Sequence, residues 1–360
     1  MTRKIKIAIA GLGNCAAAII QGLEYYKNAA DDEKVPGLMH VRFGPYHVSD
    51  IEIVAAFEVN RLKIGKDVAD AIWEPPNCVN KFADVPKTGV IVQPGPISDG
   101  VAPHMRESFY CYDENEVKPV DVAQVLKETG AEILVNFLPV GSEDATKIYA
   151  QAALDAGVSF ANGIPSFIVS DEEWAEKFTK AGIPVAGDDI KSQLGATILH
   201  RVLMQLMDDR GIAVDRTHQL NVGGNTDFEN MKHEGRLTTK RISKTEAVTS
   251  VLPYDIPVRI GPSDYVPFLK DNKVCYINAE GRNFGDQKVI LNLKLSVQDS
   301  PNSAGVMIDV IRALAIARDR GIAGPLYSMS AYAFKHPPKQ IPDFIAKENV
   351  EKFIKGELEV

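Results

Sequence analysis

The chain has 360 residues, enough for one large or two ordinary domains with a substantial core. Its composition, 45% hydrophobic and 24% charged, is typical of a globular protein, and a net charge of −8 argues against a general binder of nucleic acid or of anionic membranes. The four cysteines form no CxxC pair, and no apolar stretch is long and clean enough to span a bilayer. We therefore expect a cytoplasmic protein with reduced thiols.

The first predicted element is a dinucleotide-binding turn. Residues 4–10 read as a buried parallel strand, and GLGNCA follows at Gly11, before a helix-like segment of small and apolar residues. In such a turn Gly11 permits the tight bend, Gly13 lets the backbone approach a pyrophosphate, and Ala16 lets helix and strand pack closely. An ordinary glycine-rich turn is the alternative, but the position between a strand and a helix favours the dinucleotide site.

The next strand is expected to end in an acidic residue that binds the adenosine ribose. Residues 51–57 predict that strand, and Glu58 follows it. The separation from Gly13 is about twice the usual spacing of about 20 residues, which an inserted loop over residues 25–50 explains. Glu58 favours NAD over NADP, because it would repel a 2′-phosphate. The alternative is a solvent-exposed glutamate.

A run of helices alternating with short apolar strands follows a proline-rich stretch of expected loops at residues 67–117. The expected strands are residues 133–138, 158–161 and 183–186; the expected helices are residues 121–129, one capped by Ser142, and one with a capping box at Ser170 and Glu173. This alternation predicts an α/β fold with a Rossmann-type doubly wound parallel sheet. Ligands bind beyond the carboxyl ends of such strands, where Asn136, Asn162 and Asp189 lie.

The pattern changes after Asp189. A helix is expected at residues 196–210, and strands at 215–222, 258–260, 274–279 and 289–297. The last strand alternates apolar and polar residues, which predicts a largely antiparallel sheet with one open face. A mostly apolar helix at residues 304–320 is expected to pack back onto the first domain. We therefore predict an NAD-binding domain of residues 1–195 and 300–360 and an α+β domain of residues 196–299.

The segment of residues 221–244 combines a polar loop with clustered positive charge. Lys240 and Lys244 are four residues apart and would share one face of a helix. A bound phosphate would explain that spacing, and so would a mutual lowering of lysine pKa that yields a proton-transferring amine. The third explanation is a solvated basic surface. No Ser-His-Asp, Cys-His or HExxH arrangement stands out elsewhere.

Eight motifs give the chain a resemblance to the myo-inositol-1-phosphate synthase family in its shorter prokaryotic form. They are GLGNCA at Gly11, VPGLMHVRFGPYHV at Val35, LPVGSE at Leu138, GDDIKSQLGAT at Gly187, LNVGGNTDF at Leu220, SKT at Ser243, DSPNSAGV at Asp299 and AYAFKHPP at Ala331. The resemblance covers essentially the whole chain. It implies an isomerase that converts glucose 6-phosphate to inositol phosphate, the first step of inositol and phosphatidylinositol biosynthesis.

The resemblance also implies the chemistry. The C5 hydroxyl of open-chain glucose 6-phosphate is oxidised by NAD, the ketone acidifies C6, the enolate closes the ring on the C1 aldehyde, and NADH reduces the ketone. Ammonium groups stabilise the oxyanions of such a sequence, and a neutral amine moves protons. A buried lysine among other cations reaches a pKa of about 7–8, which suits both roles.

The family's site residues can be assigned by their motif positions. Lys240 matches the proton-exchanging lysine, Lys273 and Lys335 those near the oxyanions, and Lys244 the lysine near the phosphate. Asp189 is expected at the nicotinamide and Asp299 beside a catalytic lysine, with substrate contacts from Ser192, Asn225, Thr226 and Asp227. The predicted cofactor-binding residues are Gly11, Gly13, Asn14, Cys15, Glu58, Leu138, Asn162, Asp189, Ser192, Asp271 and Ser300.

Three further expectations follow from the resemblance. The segment 196–299 would carry both catalysis and assembly of a homotetramer. A monovalent or divalent cation could be held by Asp188 and Asp189, although two carboxylates capping a helix explain the pair equally well. The rival functions are an NAD-dependent sugar-phosphate dehydrogenase, which would release NADH, and a non-catalytic NAD sensor, which would not require four lysines from separate segments of the chain.

Overall fold

The structure, a computed structural model, describes residues 3–231 and 238–359, without the side chains of residues 238, 240, 241, 262 and 263. Its helices are α1 (Asn14–Tyr25), α2 (Val68–Ala71), α3 (Val122–Thr129), α4 (Glu143–Ala156), α5 (Glu172–Lys180), α6 (Ala196–Asp209), α7 (Thr226–Asn230), α8 (Thr238–Thr249), α9 (Asp299–Asp319), α10 (Tyr327–Ala333) and α11 (Asp343–Lys355). Its strands are β1 (Ile5–Ala10), β2 (Arg42–Phe43), β3 (Tyr46–His47), β4 (Ile51–Glu58), β5 (Gln93–Pro94), β6 (Ile133–Asn136), β7 (Ser159–Asn162), β8 (Pro184–Ala186), β9 (Ala213–Gly223), β10 (Val258–Tyr265), β11 (Asn272–Arg282), β12 (Lys288–Gln298) and β13 (Gly324–Pro325).

The larger sheet is parallel and has the strand order β13-β8-β7-β6-β1-β4-β5. Strand β1 lies inside it and is covered on both faces. Ile5, Ile7 and Ile9 pack with α1 and α9, whereas Ala8 and Ala10 face α3 and α4. Burial on both faces explains why the strand is a continuous apolar run. The predicted Rossmann-type sheet is confirmed.

Helix α9 is longer than the sequence pattern predicted. It begins at Asp299 instead of residue 304, because the segment DSPNS forms its first turn, with Pro301 inside that turn. Most of its residues are buried, and it packs along α1. The long apolar helix therefore joins the core of the first sheet, as predicted.

Ser142 is the N-cap residue of α4 as predicted, but its side chain does not cap the helix, and the capping box predicted at Ser170 and Glu173 is wrong. The Ser142 hydroxyl donates to the carbonyls of Pro139 and Gly100, and the carboxylate of Asp99 accepts the N–H groups at the start of α4 instead. The N-cap of α5 is Asp171, since the hydroxyl of Ser170 donates to the buried Asp188. In both cases a tertiary hydrogen bond replaced the local one.

The smaller sheet has the order β10-β9-β11-β12; β9 pairs antiparallel with β11, as does β11 with β12, and β9 and β10 are parallel. Helices α6 and α8 cover one face. The other face exposes Leu220, Tyr276 and Ile290. The expectation of a largely antiparallel sheet with an open face is confirmed, and the exact domain boundaries stay a prediction.

Residues 67–117 contain only short elements, as their prolines predicted. Within residues 3–231 and 238–359, no helix combines the length and apolar character needed to cross a membrane.

Candidate active site

A cleft opens beyond the carboxyl ends of β1, β6, β7 and β8 and extends to the smaller sheet. This is the edge at which a doubly wound sheet binds ligands. Fourteen of the predicted site residues line it: Gly13, Asn14, Cys15, Leu138, Asp189, Ser192, Asn225, Thr226, Asp227, Lys244, Lys273, Asp299, Ser300 and Lys335. Gly11, Glu58 and Leu138 line an adjoining cavity.

The turn between β1 and α1 fits a dinucleotide pyrophosphate. Gly11 has φ +86°, and a Cβ there would lie 2.7 Å from the carbonyl oxygen of Phe137. A Cβ at Gly13 would meet no atom within 4 Å, so the space beside it is open to a ligand. No side chain caps the N-terminus of α1, whose N–H groups therefore face this space.

Glu58 lies at the end of β4, as predicted, and is buried instead of solvent-exposed. One carboxylate oxygen accepts the N–H of Leu12 at 2.9 Å, and the other accepts the N–H of Val59 at 2.8 Å. The N–H of Asn60 lies 3.4 Å from the second oxygen, and Nζ of Lys63 lies 3.6 Å from the first. These neighbours take most of the roughly four acceptor positions of a carboxylate, so ribose binding by Glu58 stays a prediction.

Asp189 is the point at which three segments of the chain meet. Its Oδ1 lies 2.7 Å from Nζ of Lys335, and its Oδ2 accepts a 2.6 Å hydrogen bond from the hydroxyl of Ser243 on α8. Lys335 also donates to the carbonyl of Ile190 at 2.7 Å. Asp189 is nearly fully buried, so its charge requires these partners.

Lys273 projects into the same cleft from β11. Its Nζ lies 3.1 and 3.4 Å from the two oxygens of Asp299, the first residue of α9. Burial alone would lower the pKa of Lys273, but the adjacent Asp299 carboxylate raises it above its ordinary value. The expectation of a lowered lysine pKa is therefore wrong for Lys273, because its neighbour is an anion and not another cation.

Asp271 lies behind the cleft and does not line it. Its carboxylate accepts hydrogen bonds from Asn225 at 3.1 Å and from the hydroxyl of Ser300 at 2.7 Å. Asn225 in turn caps α7, accepting from the N–H of Asp227 and Phe228. Burial raises the pKa of Asp271 to about 6. Asp271 thus joins the polar loop after β9 to the start of α9.

Asn162 also lies behind the cleft. Its side chain is fully buried and is hydrogen-bonded to Asn136, Ser166 and Asp188. The neighbouring Gly163 and Ile164 line the cleft instead. Asn162 therefore fixes the loop that borders the predicted cofactor site.

The pair Asp188 and Asp189 does not fit a cation. Asp188 is enclosed by the side chain of Asn162, the backbone N–H groups of residues 168–170 and the Ser170 hydroxyl. Asp189 already faces an ammonium group and a hydroxyl. In the described part of the chain, no group of three or more acidic, histidine or cysteine side chains is placed to hold a metal ion.

A smaller polar pocket continues from the cleft toward α6. It is lined by Ser192, Gly195, Ala196, Thr197, Ile198, Gln219, Asn221, Lys244, Lys273 and Lys335. Gly195 is the extended N-cap of α6 and provides no side-chain cap, so the first N–H groups of this 14-residue helix face the pocket. A helix N-terminus beside ammonium groups suits a phosphate.

The two lysines of the basic segment lie on α8, which confirms the helical spacing. Lys244 is 5% exposed and lines both the cleft and the polar pocket, which excludes a solvated surface position for it. The side chain of Lys240 lies outside the described part of the chain, so its placement in the site stays a prediction.

Sequence reasoning missed two sets of contacts. The first is the hydrogen bond from Ser243 to Asp189, because Ser243 had no assigned role in the SKT motif. A serine inside a helix often hydrogen-bonds through its hydroxyl, which is the signal that could have indicated this contact. Lys63 and Asn77, which contact the glycine-rich turn, lie in stretches that carried no recognisable motif.

Comparison with known proteins decides the family. A family model for myo-inositol-1-phosphate synthase matches residues 195–300. An inositol-3-phosphate synthase of Corynebacterium glutamicum is 56% identical over 98% of this chain and 99% of the relative. The chain belongs to the myo-inositol-1-phosphate synthase family. An inositol-3-phosphate synthase of Mycobacterium tuberculosis H37Rv is 55% identical over 98% of this chain and 96% of the relative.

Solved structures agree on the fold. The crystal structure of Ari2 is 33% identical, with a TM-score of 0.79 over 98% of this chain and 100% of that one. The Caenorhabditis elegans inositol-3-phosphate synthase is 16% identical, with a TM-score of 0.73 over 98% of this chain and 86% of that one, and supports the fold alone. The resemblance drawn from the motifs is confirmed, and with it an NAD-dependent isomerase of the inositol phosphate synthase class.

Replacing Ser243 with alanine should lower the rate of inositol phosphate formation about 100-fold, because the Asp189 carboxylate would lose the hydrogen bond that fixes it beside Lys335. Steady-state kinetics measure the effect. Thr249→Ala is the matched control, since that hydroxyl on the same helix donates only to the carbonyl of Thr245. Equal rates in the two variants would contradict the role of Ser243.

Proposed function

We propose that the cleft converts D-glucose 6-phosphate into 1L-myo-inositol 1-phosphate, also named 1D-myo-inositol 3-phosphate. The observation that carries the proposal is the convergence of Lys244, Lys273 and Lys335, from three separate segments, on a cleft that borders a dinucleotide turn. A nucleotide sensor would not require this convergence. The lysines suit a phosphorylated substrate whose hydroxyl and carbonyl oxygens gain and lose negative charge.

The substrate phosphate belongs in the polar pocket at the start of α6. The N–H groups of α6 and the ammonium of Lys244 bind it there. Asn225 and Asp227, on the loop after β9, orient the sugar hydroxyls. With its phosphate in this pocket, the open-chain sugar lies in the adjoining cleft, which Asp189, Lys273 and Lys335 line.

NAD, when bound, supplies the oxidation at C5 and, in its reduced form, the final reduction. Lys335 and Lys273 stabilise the oxyanions that form as the C6 proton leaves and as the aldehyde is attacked. Asp189 and Asp299 hold these two ammonium groups in place. Lys240 exchanges the proton of the C5 hydroxyl. The sequence is redox-neutral, so no external reductant is consumed.

Asp188 and Asp189 are not proposed as metal ligands, because hydroxyl, amide and ammonium donors already occupy both carboxylates.

We further propose that the open face of the smaller sheet assembles the protein into a homotetramer. Leu220 on β9 lies opposite Tyr276 on β11, and the two side chains are 42% and 45% exposed. Together with Ile290 on β12 they form an apolar surface that a second copy would cover.

Neither nucleic acid nor a membrane is proposed as a partner. We propose the cytoplasm as the compartment, where Cys15, Cys78, Cys111 and Cys275 remain free thiols.

The activity is tested by incubating the protein with glucose 6-phosphate and NAD and following the products by NMR. Inositol phosphate should form without net NADH. Accumulating NADH would favour the dehydrogenase, and NAD binding without turnover would favour the sensor.

Lys240→Ala should abolish product formation and retain NAD binding; a near-normal rate would remove the role given to Lys240.

Replacing Asp299 with asparagine should make the activity sensitive to high pH. The change removes the carboxylate that raises the pKa of Lys273, so burial then lowers that pKa. Lys273 would lose its proton as the pH rises, and the oxyanions would lose a cation. The ratio of variant to wild-type kcat/KM should therefore fall as the pH is raised toward the lowered pKa of Lys273. A ratio independent of pH would contradict this account of the pair.

Replacing Tyr276 with aspartate should dissociate the tetramer, since a charge would be buried in the proposed interface without a partner. Light scattering after size-exclusion chromatography measures the mass. Phe344→Asp, at a 69% exposed position on α11, is the control. A tetramer that survives Y276D but not F344D would place the interface elsewhere.

A further inference from the structure

Lys63 is buried beside the cofactor turn, where the reaction itself does not need a lysine. It lies between β4 and α2 and is 2% exposed. Its Nζ donates to the carbonyl of Leu12 at 2.9 Å and to Oδ1 of Asn77 at 2.9 Å, and it lies 3.6 Å from Oε2 of Glu58. A buried ammonium group is costly unless it is paired, so this lysine depends on all three contacts.

Asn77 and Glu58 also contact the backbone of Leu12. Asn77 donates to the carbonyl of Leu12 at 3.1 Å and to that of Ile72 at 3.0 Å. Glu58 accepts the N–H of Leu12 at 2.9 Å. The backbone N–H and carbonyl of Leu12 are thus both held by side chains from residues 58–77.

Leu12 is the central residue of the turn, between Gly11 and Gly13. Glycine has the greatest backbone freedom in an unconstrained chain, so two glycines alone leave such a turn easily deformed. A binding site that is ordered before its ligand arrives avoids the entropic cost of ordering on binding. Fixing Leu12 from both sides orders the two glycines together.

We propose that Lys63 is a positioning residue for the cofactor: with Asn77 and Glu58 it holds Leu12 so that the turn is preformed for NAD and retains it. Retention matters for the proposed function, because NADH formed in the first step must stay bound until the last. The inference rests on the NAD site of that proposal. Cofactor affinity measured without substrate tests it separately from the cyclisation.

The alternative role for a lysine in this cavity is recognition of the 2′-phosphate of NADP. Lys63 has three N–H groups, and they point to Leu12, Asn77 and Glu58. None of these contacts is released without exposing a buried polar group. A positioning role predicts that NAD and NADP lose affinity by the same factor when Lys63 is replaced, whereas phosphate recognition predicts a larger loss for NADP.

The experiment measures the dissociation constants of NADH and NADPH for full-length Lys63→Met by fluorescence titration. We expect both nucleotides to bind at least about tenfold more weakly, the effect of losing a charged hydrogen bond. NADH should also dissociate faster in stopped-flow measurements. Lys66→Met is the matched control, because the Lys66 side chain is 42% exposed and pairs with Glu74 at 2.5 Å without contacting Leu12. This variant should bind NADH as the wild type does.

A folded K63M protein with wild-type affinity would overturn the proposal, and so would a loss confined to NADPH. Should K63M fail to fold, Asn77→Ala decides, since it removes one donor to Leu12 and one acceptor of Lys63 but leaves Lys63 paired with Glu58. We expect a several-fold weaker affinity for NADH in N77A; an unchanged affinity would overturn the proposal. A wild-type protein that binds no NADH would instead contradict the proposed function itself.

Discussion

The buried carboxylate of Asp189 is the contact on which the rest of the site depends. It lies just after β8, at the edge of the parallel sheet, and joins Lys335 near the C-terminus to Ser243 on α8. Its backbone is in the left-handed region, with φ +62°, and is held by hydrogen bonds to Ile164 and Lys335. A strained residue persists when its surroundings fix it, and such residues cluster at functional sites.

Each half of the site contains a lysine beside a carboxylate, although the carboxylate raises the pKa of Lys273 whereas burial lowers that of Lys63. On the catalytic side Asp299 holds Lys273, and on the cofactor side Glu58 lies beside Lys63. Each lysine is largely removed from water, so each needs its carboxylate nearby. Such pairs place an ammonium group accurately, which benefits a reaction whose intermediates carry negative charge on oxygen. A preformed cofactor turn suits a cycle in which the nicotinamide is reduced and then reoxidised.

Much of the fold could be predicted from the sequence, because local patterns determine it. The apolar run before Gly11 and the alternation of apolar and polar residues in β12 are patterns of neighbouring residues, and each predicts a strand without knowledge of the rest of the fold. The errors arose where a distant group replaced a local one. Asp99 caps α4 although Ser142 stood at the expected position, and Asp188 takes the hydroxyl of Ser170. No local pattern contains such contacts.

The site was less predictable for the same reason. Lys273 and Lys335 were identified only through motifs of a known family, since an isolated lysine is usually a surface residue. The raised pKa of Lys273 depends on Asp299, which is distant in sequence and adjacent in space. Lys63 and Asn77 carry no pattern that marks a cofactor contact. Their role becomes visible only when their atoms are found beside Leu12.

Asp189 positions Lys335, and Ser243 in turn holds the Asp189 carboxylate. A double-mutant cycle in kcat/KM with Asp189→Asn and Ser243→Ala tests this arrangement most directly. If Ser243 acts through the Asp189 carboxylate, adding S243A to D189N should lower kcat/KM little further. Losses that simply multiply would mean that the two residues act independently, and would contradict the account.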